Sequence, residues 1–282
     1  MISEGIFLGL AAALCWGISD IFAKIASTRE ENFVPIHIAG FFGLANMLII
    51  NLLFPPAGFP LFTIIYSMMP VGFFMALGWW LFYLSLQKGK ISIQSAIGAS
   101  YGLMVLAGGI LFLGETPTLQ QIFGGLAIIV SVFFLSLQKL GIRNIVFDNN
   151  ALKALGAMLC WGIAFILLVP FAKSYPPQIA VLSHTFYTFV FVMIFILVSK
   201  KKLLPSKKRS LIPAILASVD SIGLFVYYSA AATFFTSLLA PVSSIYPVFT
   251  YALAYVFLGE RLKRFQLASV AGILFGIMLI SL

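Results

Sequence analysis

Leu14-Cys15-Trp16-Gly17-Ile18 recurs as Leu159-Cys160-Trp161-Gly162-Ile163, at an offset of 145 residues. Phe112-Leu113-Gly114-Glu115 recurs as Phe257-Leu258-Gly259-Glu260 at the same offset. The register also pairs Gly78 with Gly223, Tyr83 with Tyr228, Ser92 with Ser237, Tyr101 with Tyr246 and Gln121 with Gln266. Two motifs far apart in one register indicate that the chain is a tandem duplication.

Composition says where the two copies live. Of the 282 residues, 62% are hydrophobic and 9% charged, and mean hydropathy is +1.10. Soluble domains carry about 25% charged residues. So much apolar surface must face lipid. Ten apolar stretches are long enough to span a bilayer: 4–27, 33–54, 62–87, 91–113, 117–137, 152–173, 177–198, 211–234, 236–258 and 264–282. Gly5 to Ser27 reads as a retained first span, because no basic region or small-residue cleavage site accompanies it. The fold expected is all-α and integral to the membrane, with repeats at 1–138 and 152–282 and a linker at 139–151. Each copy holds five spans. An odd number makes the second copy start on the opposite side, so the repeat is inverted.

Charge gives the orientation. Among lysines and arginines, the side of the even-numbered loops and the termini holds Lys173 alone. The odd loops hold Arg29, Lys88, Lys90, Lys139, Arg143, Lys153, the run from Lys200 to Arg209, and Arg261, Lys263 and Arg264. By the positive-inside rule the odd loops are cytoplasmic and both termini face out. This sorting accounts for the net charge of +9 better than nucleic-acid binding does. Cys15 and Cys160 lie in apolar runs and read as packing residues rather than a disulfide or metal framework.

On these motifs the chain resembles the drug/metabolite transporter superfamily, specifically its EamA-type ten-helix members. Trp16, Gly17 and Lys24 fit that family's first span, and Leu113-Gly114-Glu115 and Leu258-Gly259-Glu260 fit the ends of its spans four and nine. The resemblance covers the whole chain and implies a ten-helix carrier. Asp20 departs from it, standing where many members have a neutral polar residue. Val169 occupies the position in the second copy that Lys24 occupies in the first.

Ionisable groups inside a span cost about 2.5–3.5 kcal/mol each, so each needs a reason. Trp16, Asp20 and Lys24 follow one helix face at i, i+4, i+8. Two readings stand: a cavity-facing pair that contacts solute, or a lysine that snorkels to the surface with Asp20 neutralising it. Asp220 lies near the middle of span eight with no snorkelling route, on a face that continues through Tyr227 and Ala231. It is expected to couple protons or to hold a cationic group; the alternative is a helix-helix hydrogen bond made as the protonated acid. His37 and His184 read as packing residues. Trp79, Tyr83, Tyr101, Tyr227, Tyr228 and Tyr246 are candidates for an aromatic cavity able to stack on flat solutes.

Span nine carries Ser237, Ala240, Ser244 and Pro247 on one small, polar stripe. Pro247 removes a backbone donor and predicts a kink, either beside a cavity or satisfied by a neighbouring hydroxyl. Gly98/Gly102 and Gly272/Gly276 are spaced for close helix packing. Glu115 and Glu260 are expected to cap the spans that follow them.

The function expected is secondary transport of a small organic metabolite, in the direction of export, by alternating access between the halves. Protons or a counter-substrate would drive it. The sequence carries no P-loop and calls for no cofactor. Its scattered acids and histidines lack the clustering of an enzyme or metal site. A passive channel or a non-transporting structural membrane protein are the alternatives.

Overall fold

A computed structural model of the chain describes residues 2–29, 34–56, 66–88, 91–136, 149–200, 211–259 and 264–281. Every regular element among them is helical. In lipid each backbone polar group needs an internal partner, and an apolar helix supplies one for nearly every residue. Seven spans are single helices. These are Ile2–Arg29 (span one), Val34–Leu53 (two), Met69–Lys88 (three), Leu119–Ser136 (five), Asn149–Ser174 (six), Pro177–Val198 (seven) and Arg264–Ser281 (ten). Spans five and ten are shorter than the other eight in apolar length. Span six begins three residues before the sequence expectation, at Asn149. Most of the linker at 139–151, the basic loop at 201–209 and Glu260 lie outside the described residues.

Three spans are broken near their middles. Span four consists of Ile91–Ala99 and Tyr101–Phe112, and span nine of Thr236–Ser243 and Tyr246–Leu258. The two breaks are equivalent in the repeat register, at Ser100 and Ile245. The sequence predicted only the second, from Pro247, which takes its place in the first turn of the new helix. Span eight consists of Leu211–Leu216 and Asp220–Ala231, joined by a 3-10 turn at Ala217–Val219. Neighbouring side chains satisfy the carbonyls this turn frees. Ser19 Oγ donates to Ala217 O at 2.7 Å, Asn46 Nδ2 to Ser218 O at 3.2 Å and Ser221 Oγ to Ser218 O at 2.8 Å.

The packing obeys the duplication. Span two packs on seven, four on nine and five on ten; three packs on six as one packs on eight. Exchanging the halves maps this set onto itself, as a two-fold axis in the membrane plane requires. Local contacts repeat the exchange. A Cβ on Gly78 would fall 2.5 Å from Trp161 Nε1, and one on Gly223 would fall 2.8 Å from Trp16 Nε1. Each copy's tryptophan therefore lies over a glycine of the other copy. The Leu-Gly-Glu motifs have a backbone reason too: Gly114 and Gly259 both adopt positive φ, 66° and 69°, where the chain leaves spans four and nine. Gly124 and Gly276 face each other where spans five and ten cross, and a Cβ on either would fall 2.7 Å from the other's carbonyl oxygen. Leu52, Phe112 and Val198, each at least three-quarters exposed, face outward where lipid would lie.

Candidate functional site

A small cavity lies at the centre of the bundle. Trp16, Asp20, Met75, Trp79 and Tyr101 from the first copy line it. So do Trp161, Phe165, Asp220, Leu224 and Tyr246 from the second. These are five pairs at the offset of 145, since every residue's counterpart is also a lining residue. The cavity therefore sits on the two-fold axis. The broken spans four and nine bring Tyr101 and Tyr246 to it as the first residues after their breaks.

Symmetry of position is not matched by symmetry of chemistry. Trp16/Trp161 and Tyr101/Tyr246 are identical pairs. Asp20 faces Phe165 across the axis, and Asp220 faces Met75. Asp20 is buried and held by Ser95 Oγ from span four and by Thr250 Oγ1 from span nine, the latter at 3.4 Å. No described residue donates a hydrogen bond to the Asp220 carboxylate. The walls are aromatic: Trp16 lies 6.3 Å from Tyr101, 5.7 Å from Phe165 and 6.2 Å from Tyr246, centroid to centroid. Trp79 lies 5.3 Å from Trp161. Trp16 Nε1 and Trp161 Nε1, both buried, have no hydrogen-bond partner among the described residues.

A second, larger cleft adjoins the first at Trp79, Asp220 and Leu224. It lies among spans one, two, three, seven and eight, and Ser19, Tyr83, Thr185, Thr188, Ser218 and Ser221 give it a hydroxyl-rich wall. Most of its residues on spans two, three and eight belong to the halves nearest the odd-numbered loops, and those on span seven straddle its middle.

On the even-loop side a carboxylate joins the two copies. Glu115 is buried, although it belongs to the loop after span four. Its Oε1 accepts the Thr236 N–H at 2.9 Å and its Oε2 the Ser237 N–H at 2.7 Å. It thus caps the first turn of span nine, in the other copy. Lys173 Nζ lies 3.5 Å from Oε1. The expectation that Glu115 caps the following span is corrected by this geometry. Span five is capped instead by a reciprocal box, in which Thr118 N–H donates to Gln121 Oε1 at 3.0 Å and Gln121 N–H to Thr118 Oγ1 at 3.3 Å. Burial alone would push the Glu115 carboxyl up. Its contacts with Ser237 and Thr236 and the nearby Lys173 ammonium outweigh that and hold it below the ordinary value.

Six of the sequence candidates thus meet in the central cavity: Trp16, Asp20, Trp79, Tyr101, Asp220 and Tyr246. Tyr83 lines the adjoining cleft. Lys24 directs its ammonium to the Leu86 carbonyl at 2.6 Å, at the odd-loop end of span three. Tyr227 packs its ring 5.6 Å from Trp16, behind the wall. Tyr228 is fully buried and its hydroxyl meets His184 Nδ1 at 3.1 Å. Ser244 Oγ donates to Ala240 O at 2.7 Å, beside Gly102. The sequence reading did not single out Met75, Trp161, Phe165 and Leu224 as lining residues. The repeat register applied to Asp220, Trp16, Asp20 and Trp79 yields all four.

An inverted ten-span bundle with broken helices at a central, axial cavity is an architecture of multi-pass transporters. The chain belongs to the EamA-like transporter family, whose pattern matches residues 3–137 and 150–282, as the Trp-Gly and Leu-Gly-Glu motifs implied. An uncharacterised protein of Methanocaldococcus jannaschii is 32% identical over 139 residues, 48% of this chain and 97% of that protein. That relative has the length of one repeat. A solved crystal structure has the same fold, with a TM-score of 0.79 at 13% identity over 98% of this chain and 96% of that one.

Proposed function

We propose that this protein is a secondary transporter that exports a small organic metabolite across the cell membrane by alternating access between its five-span halves. The observation that carries the reading is the placement of the central cavity on the two-fold axis. A site on that axis is equally near both faces, so rocking one half against the other can open it to each side in turn. The Glu115 clamp ties the two copies together on the even-loop side, and the larger cleft extends the cavity toward the odd loops. With the odd loops cytoplasmic and both termini on the outer face, as the charge distribution supports, solute would load from the cytoplasm. Protons or a counter-substrate supply the drive.

The test is flux. Purified protein in proteoliposomes is offered a panel of amines, amino acids, sugars and nucleosides, with and without a pH gradient. At least one solute should move in a protein-dependent, saturable manner. No flux of any member, in either condition, would count heavily against a carrier.

A further inference from the structure

We propose that the solute is an organic cation, its ammonium held between Asp20 and Asp220 inside the aromatic box. The inference rests on the transporter reading and concerns the same site. The central cavity has two carboxylates, and no lysine or arginine lines it or the adjoining cleft among the described residues. Two carboxyl groups sharing a low-dielectric cavity either hold protons or take positive charge beside them, and an ammonium supplies that charge. Lys24, the basic residue nearest in sequence to Asp20, carries its ammonium to the Leu86 carbonyl.

The surroundings favour an organic cation over a bare metal ion. The other lining residues are Trp16, Trp79, Trp161, Tyr101, Tyr246 and three apolar side chains. Aromatic faces attract a desolvating ammonium, best of all tryptophan's, whereas a hard metal ion would require more oxygen ligands than this wall presents. The two carboxylates are also unequal. Ser95 and Thr250 hold Asp20 in place. Asp220, to which no described residue donates a hydrogen bond, stands where both cavities meet and is the primary anchor for the cation. The hydroxyl-rich cleft behind it accommodates a polar substituent.

The test uses three probes of similar size and different charge: phenethylammonium, 2-phenylethanol and phenylacetate. Their binding is measured by calorimetry on the full chain in lipid nanodiscs, with empty nanodiscs subtracted. Phenethylammonium should bind at least about tenfold tighter than the alcohol, and phenylacetate more weakly than either. Asp220→Asn should remove that preference and Asp220→Glu should retain it. Equal or tighter binding of the alcohol or phenylacetate overturns the proposal, as does no protein-dependent binding of any probe. The transporter reading fails separately. Cation-selective binding without phenethylammonium flux in proteoliposomes would remove the carrier and leave the site. Saturable flux of neutral or anionic solutes without cation preference would do the reverse.

Discussion

Asp220→Asn should leave proteoliposomes with no solute flux above the protein-free rate, while the purified variant keeps the elution profile and melting temperature of the wild type. The side chains are nearly the same size, and no described residue donates a hydrogen bond to the Asp220 carboxylate, so the packing does not depend on its charge. The proposed solute site does. Asp220 lies at the junction of the central cavity and the larger cleft, and a solute held by a buried charge pair loses about 2–5 kcal/mol when one partner is neutralised. That corresponds to a loss of at least about thirtyfold in apparent affinity. Wild-type kinetics in the variant would remove Asp220 from the site.

Glu115→Ala should weaken the protein rather than its chemistry. The substitution leaves the Thr236 and Ser237 N–H groups without their acceptor at a buried helix end. A loss of about 1–3 kcal/mol in unfolding free energy is expected, read as a lower midpoint in detergent. The dependence on pH follows from the depressed carboxyl. A group held below its unfolded value stabilises the fold at neutral pH and stops doing so as pH falls through its folded value. The wild type should therefore lose stability below the ordinary carboxylate range. The alanine variant, already lacking the clamp, should lose less over the same interval. Identical acid sensitivity in the two proteins would show that Glu115 does not carry the effect.

The division between what the sequence foretold and what it did not has a physical basis. Apolar length, charge sorting and an exact internal register are properties of one dimension, and from them come the span count, the inversion and the duplication. The register reaches further than the motifs that revealed it, because applying it to four candidate residues completes the cavity wall. Long-range partners are different. Glu115 sits just before span five in sequence, so a cap on that helix is the local expectation, yet Thr118 and Gln121 already satisfy it and leave the carboxylate to cap span nine. Nothing in the chain near Lys24 announces the Leu86 carbonyl, which only the packing of spans one and three supplies. The break at Ser100 has no proline behind it; it shows its logic only beside its counterpart at Ile245.

In the proposed mechanism the axial site is presented to one side at a time, and this is the feature that separates a carrier from a channel. Counterflow measures it directly. Proteoliposomes are loaded with a high concentration of unlabelled solute, and uptake of a trace of the same labelled solute is followed from outside. A single alternating site predicts a transient accumulation of label above its equilibrium level, with a saturable initial rate, and the loss of both in Asp220→Asn. Label that rises only to equilibrium, at a rate linear in solute and indifferent to the internal load, would contradict alternating access and leave a passive pore.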